Sequence, residues 1–186
     1  VFSLAKSNPN NGKKSFWPLK ISVITLFIAI LFSFLSEIAS NNSNLIVAYM
    51  LLLLLIIVGV FFDGIGVAFT ACDIAPFASM ASKRIKGSRM AITLLSKASI
   101  VANICADVVG DICGILSGAF VVVIVTATSI LYPEINLMFL TVFMSSIVAA
   151  VTVGGKSFMK HIAMNNSKDI VFKVSKFLAL FVKEMK

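Results

Sequence analysis

Four apolar windows set the terms for this chain: Ile21 to Ile38, Leu45 to Phe62, Ile112 to Leu131 and Leu137 to Val153. Each approaches or meets the length an α-helix needs to cross about 30 Å of hydrocarbon. None alternates in polarity as barrel strands do. A water-soluble core could not absorb these windows, because 59% of the 186 residues are hydrophobic and only 13% are charged. The expectation is an all-α integral membrane protein. Residues 1–20 form a polar cytoplasmic tail, and residues 21–186 form one transmembrane domain with spans near 21–38, 45–62, 106–131 and 137–155. Trp17 reads as an interfacial anchor ahead of the first window. That window is too long for a signal h-region and is taken as a retained helix.

Charge fixes the expected orientation. The 16 Lys and Arg residues lie before Ile21, between Lys83 and Lys97, or after Val153, while the two other connections carry only Glu37 and Glu134. Positive-inside counting therefore places both termini in the cytoplasm, in a multi-pass protein of the plasma (inner) membrane. The net charge of +8 follows from that topology and from attraction to anionic lipid, so the bilayer is the expected partner and no nucleic acid is needed. Between Pro76 and Lys97 the chain is basic and mildly apolar, with Pro76 suited to a helix first turn and Gly87 to a helix stop. Surface helices are expected near 76–98 and 157–184. In the first, Lys83, Arg84, Lys86 and Arg89 would face lipid phosphates. In the second, Ile170, Val174, Phe177, Leu178 and Phe181 would lie opposite Lys168, Lys173, Lys176 and Lys183.

The organising stretch is Ser99 to Val125, an apolar helix that carries Asp107, Asp111, Gly110, Gly114 and Gly118. At about 100° per residue these five fall within an arc of roughly 100°. Glycine at every fourth position lets a neighbouring backbone approach closely in lipid, so Gly110, Gly114 and Gly118 are candidate packing residues and the aspartates would point inward. Carboxylates within a membrane helix are functional candidates; the alternative is that they sit at the cytoplasmic mouth and pair with lysines. Asp63-Gly64-Ile65-Gly66 interrupts the second window. It reads either as a loosened helix that presents Asp63 to an ion, or as a helix end in solvent. Gly154-Gly155 marks a possible break before Lys156. Cys72, Cys105 and Cys113 have neither disulfide nor zinc spacing and read as packing residues. The lone His161 has no second ligand in sequence. No nucleophile is paired with a base, so an enzyme is not expected.

With these segments laid out, the chain resembles the transmembrane domain of the CorB/CorC and cyclin M family of magnesium transporters. Residues from about Leu45 to Phe181 match its layout of three spans and juxtamembrane helices, with one extra N-terminal helix. Phe61-Phe62-Asp63-Gly64-Ile65-Gly66-Val67-Ala68 stands at the family's Phe-Phe-Ser-Gly-Ser-Glu-Thr-Ala motif. Ala106-Asp107-Val108-Val109-Gly110-Asp111 stands at its Gly-Asn-x-x-x-Asn motif, and Gly155-Lys156-Ser157-Phe158-Met159-Lys160 at Gly-Glu-x-x-Pro-Lys. In the family these motifs hold a dehydrated magnesium ion. Here aspartates replace a serine and two asparagines, and Lys156 replaces the glutamate. The CBS pair that usually follows has no counterpart in these residues. The resemblance implies a divalent-cation transporter or exchanger, and with the glycine stripe it favours a homodimer. Asp63, Asp107 and Asp111 would then supply hard oxygen ligands to Mg2+ or another cation, with Gly64, Gly66 and Lys156 beside them. The alternative is a non-transporting scaffold or regulatory subunit in which Lys156 fills the ion position.

Overall fold

A computed structural model describes residues 22–30, 33–34 and 45–181. Residues 22–30 and 33–34 are helical; the N-terminal tail and the rest of the first window lie outside the described residues. Further along come α1 (Leu45–Ala71), α2 (Ala75–Ser82), α3 (Ser88–Leu95) and α4 (Ala98–Ala102). A π-helical turn (Asn103–Val109) leads into α5 (Gly110–Leu131), followed by α6 (Leu137–Asn165) and α7 (Ser167–Phe181). Among the described residues no strand occurs.

Three stretches are long and apolar enough to cross a membrane: Leu45–Ala71, the continuous helix Ala98–Leu131, and Leu137–Asn165, of 27, 34 and 29 residues. The chain is a multi-pass, all-helical membrane protein. At about 1.5 Å per residue these helices run roughly 40 to 50 Å. They exceed the hydrocarbon thickness, so they tilt or project beyond it.

Two expected interruptions do not occur. α1 continues through Asp63-Gly64-Ile65-Gly66 to Ala71, and α6 continues through Gly154-Gly155 to Asn165. The glycines serve close approach here. A Cβ on Gly64 would lie 2.8 Å from Met159 Cε, one on Gly66 would lie 3.1 Å from the Ala102 carbonyl oxygen, and one on Gly155 would lie 3.1 Å from Val60 Cγ2. Helix propensity lost at glycine is small beside the van der Waals contact that such crossings gain in lipid. Gly87 does not stop a helix either. It precedes α3 with φ of 89°, in the left-handed region. The stop for α2 is Arg84, at φ 55°. The Arg84 amide donates to the Ala81 carbonyl and the Ile85 amide to the Met80 carbonyl, the paired bonds of a Schellman cap.

The core has two parts. Ala48, Leu52, Leu55 and Ile56 of α1 pack on Ile112, Leu116, Phe120 and Ile124 of α5, with the helical residues Ile28 and Ala29 and α6 residues Leu140, Met144 and Val148 at the margin. The second cluster joins Ile65, Ala68 and Phe69 of α1 to Phe77, Ala91, Leu95, Ala163 and Val171. It ties α2, α3 and α7 to the end of the bundle that carries the lysines and arginines. On α7 the residues fully withdrawn from solvent are Val171 and Ser175, whereas Phe177 is exposed. The face packed on the protein thus centres on Val171 and Ser175, with Ile170 and Val174 partly buried beside it.

Candidate cation site

Asp63 is the buried acid of the spanning helices, 7% exposed on α1. One helical turn before it, Gly59 brings α1 against α5, where an added Cβ would lie 3.0 Å from Cys113 Cβ and 3.6 Å from the Gly110 carbonyl oxygen. Three residues after it, Gly66 brings α1 against Ala102 and Ala106, at the start of the π-helical turn. Asp63 is thus held between two close crossings. Its Oδ2 is buried and accepts no hydrogen bond.

Two lysines of α6 face the acids. Lys160 Nζ lies 3.9 Å from Asp63 Oδ2, and Lys156 Nζ lies 3.9 Å from Asp111 Oδ1. Both separations exceed the reach of an N–H···O hydrogen bond, so these are ion pairs held by charge alone. Their surroundings differ. The Asp63 side chain is 10% exposed against 51% for Lys160, whereas Asp111 is 71% exposed against 24% for Lys156. Each pair thus joins one sheltered partner to one that reaches out.

Asp107 and Asp111 are both exposed rather than inward. The buried face of α5 instead runs through Gly110, Cys113, Ser117, Phe120 and Ile124. The glycine stripe divides accordingly: Gly110 packs near Gly59 and Lys156, while a Cβ on Gly114 or Gly118 would meet nothing within 4 Å. A π-helical turn at Asn103–Val109 also winds wider than an α-helix, so the 100° phase does not carry from Asp107 across it. Among the described residues no three His, Cys, Asp or Glu side chains converge as a ligand set. The expected grouping of Asp63, Asp107 and Asp111 around one ion is therefore corrected to a single buried carboxylate.

Lys156, expected beside both Asp63 and Asp111, pairs with Asp111, and Lys160 is the partner of Asp63. The signal was the i, i+4 spacing of the two lysines, which puts both on one face of α6. Gly59 also belongs to the site, and its seven-residue spacing from Gly66, which marks one stripe of α1, is the sequence signal for it. The three cysteines are free thiols, and Cys113 is buried where α1 crosses α5. Set against models of known families, curated proteins and solved structures, the chain matches none.

Proposed function

We propose that this protein is a cation transporter or exchanger of the plasma membrane, CorC-like in plan, that handles a divalent ion of the Mg2+ type. Asp63 is the carboxylate that the ion meets. The observation that carries this reading is the buried Oδ2 of Asp63 on a spanning helix, which accepts no hydrogen bond and has only the Lys160 ammonium at 3.9 Å. An ionisable group in such a place marks an ion pathway by default, and an orphaned buried oxygen calls for a water, proton or cation. One carboxylate is enough chemistry, because Mg2+ keeps several of its waters and is bound through one or two carboxylates. Lys160 and Lys156 act as tethered cations that compete with the free ion for Asp63 and Asp111. In this reading the helical residues 22–30 and 33–34 belong to a fourth span, the basic end of the bundle faces the cytoplasm, and α2, α3 and α7 lie along the inner leaflet.

A second reading draws on the ion pairs themselves. With an ammonium 3.9 Å from each of two aspartates, the former ion position is filled from within, as in a non-transporting scaffold or regulatory subunit. Magnesium calorimetry and proteoliposome flux on the parent, Asp63→Asn and Lys160→Ala separate the two. Transport predicts flux that Asp63→Asn abolishes and binding that Lys160→Ala strengthens. Absence of binding and flux in both the parent and Lys160→Ala would refute transport and leave the lysine-filled scaffold.

A further inference from the structure

The turn between α2 and α3 borders a half-open pocket of about 280 Å³ lined by Ala81, Arg84, Ile85, Ser88 and Arg89. Its chemistry is cationic. Residues 74–97 carry Lys83, Arg84, Lys86, Arg89 and Lys97 with no Asp or Glu, and among the described residues neither arginine pairs with a carboxylate. Arg84 and Arg89 both line this one small space, and a guanidinium is the group that binds phosphate oxygens through a fork of N–H donors.

The pocket is built on a fixed frame. Gly87 sits so close to α7 that a Cβ there would lie 3.0 Å from Lys176 Cα. Ser88 is fully buried, and its hydroxyl donates to the Ile85 carbonyl at 2.6 Å. Arg84 is set by the Schellman cap at φ 55°. Both ends of the turn are thereby pinned. Between Arg84 and Lys86 the Ile85 side chain is 38% exposed. An apolar tip flanked by cations is the pattern of a segment seated at the headgroup boundary.

The geometry points to a phosphate-group site in this turn, occupied by the headgroup phosphate of an anionic phospholipid with Ile85 dipping toward the acyl chains. The volume lies at the small end of ligand pockets. It suits a phosphate with part of its glycerol substituent and leaves the tails in the bilayer. Such a contact would anchor α2 and α3 to the inner leaflet beside the cation site; it does not depend on whether Asp63 binds an ion.

The test is native mass spectrometry of the full chain in detergent, titrated with phosphatidylglycerol, phosphatidylcholine or glycerol 3-phosphate. Arg84→Gly combined with Arg89→Ala removes both guanidiniums, and glycine suits the left-handed position, so folding is preserved. Lys168→Ala with Lys173→Ala removes the same charge elsewhere. The arginine pair, whose guanidiniums would hydrogen-bond the phosphate directly, should lose roughly thirtyfold in phosphatidylglycerol affinity, and the lysine pair, which adds only to the diffuse surface field, should lose severalfold less. Phosphatidylcholine should bind the parent more weakly than phosphatidylglycerol. Displacement of phosphatidylglycerol by millimolar glycerol 3-phosphate would uphold the phosphate site and identify a soluble phosphoester as its ligand. Equal losses in the two double variants would show a diffuse field, and unchanged affinity in the arginine pair would show no site; either result overturns the proposal.

Discussion

Gly66→Ala isolates the close crossing on which the candidate site depends. In an open helix interior, alanine is more favourable than glycine by about 0.5–1 kcal/mol. At Gly66 the added carbon would lie 3.0 Å from Ala106 Cβ, 3.1 Å from the Ala102 carbonyl oxygen and 3.3 Å from the Ala106 amide nitrogen. Carbon atoms pack best near 3.5–4.0 Å. Two of those three neighbours are backbone, and the third is fixed directly to it, so nothing can swing aside. α1 must back away from the π-helical turn by a few tenths of an ångström, loosening Ala68 and Phe69, which are buried on the same stretch. Overpacking of this kind costs typically about 1–3 kcal/mol, which offsets the propensity gain and leaves a net loss of up to about 2.5 kcal/mol. Gly114→Ala is the matched control, because nothing lies within 4 Å of its added carbon; it should gain about 0.5–1 kcal/mol. Reversible unfolding in mixed detergent micelles, at a dilution where the chain is monomeric, reads both. If Gly66→Ala is as stable as Gly114→Ala, the crossing is not tight and the reasoning fails.

The Lys160–Asp63 pair should respond asymmetrically. Lys160→Met strands a carboxylate whose side chain is only 10% exposed and should destabilise by on the order of 1–3 kcal/mol, whereas Asp63→Leu leaves an ammonium that already reaches solvent and should cost less than about 1 kcal/mol. Equal losses in the same unfolding assay would mean that Asp63 is not held as a sheltered charge. Phe77→Ala, at a site with 0% exposure in the second cluster, should cost about 3–5 kcal/mol. Hydrogen exchange should rise in α2, α3 and α7 while α5 stays protected, and uniform exchange would show that the two clusters unfold as one.

The all-helical, multi-pass character of the chain was legible because it follows from window length, which local sequence carries in full. The limits of the helices were less so. Asp63-Gly64-Ile65-Gly66 and Gly154-Gly155 have the composition of a break, yet Met159, Ala102 and Val60 press against Gly64, Gly66 and Gly155 and turn glycine into a packing residue. That information sits on another helix. The same is true of the site. A stripe of Gly110, Gly114 and Gly118 marks one face of α5, but whether that face is inward depends on the opposing bulk of Leu116, Phe120 and Ile124. The π-helical turn has no signature in the run Asn103–Val109. Asp63 stands out in sequence as an acid at the end of an apolar run, while its pairing with Lys160 depends on α6 running unbroken past Lys156, which the Gly154-Gly155 pair conceals.

The apolar windows also set the depth of the charges. Leu45 to Phe62, at about 1.5 Å per residue, covers roughly 27 Å, and Ile112 to Leu131 covers roughly 30 Å. Each nearly fills the hydrocarbon before the first acid appears. Asp63 and Asp111 therefore share one level at the basic margin of the membrane, and Lys156, three residues beyond Val153, joins them from α6. A carboxylate at that margin costs far less than one at the midplane, which accounts for an exposed Asp107 and Asp111 without any ion. Asp63 is different because protein rather than water surrounds it. On the proposed cation reading, the half-exposed Lys160 marks the basic side as the one from which an ion would approach Asp63. On the far side lies the packed cluster of Leu52, Leu55, Ile56, Leu116, Phe120 and Ile124, with Ser117 as a buried polar residue whose hydroxyl donates to its own helix at the Cys113 carbonyl. The transport proposed above would therefore require α1 and α5 to part along that cluster, against the close Gly59–Cys113 crossing that holds them together.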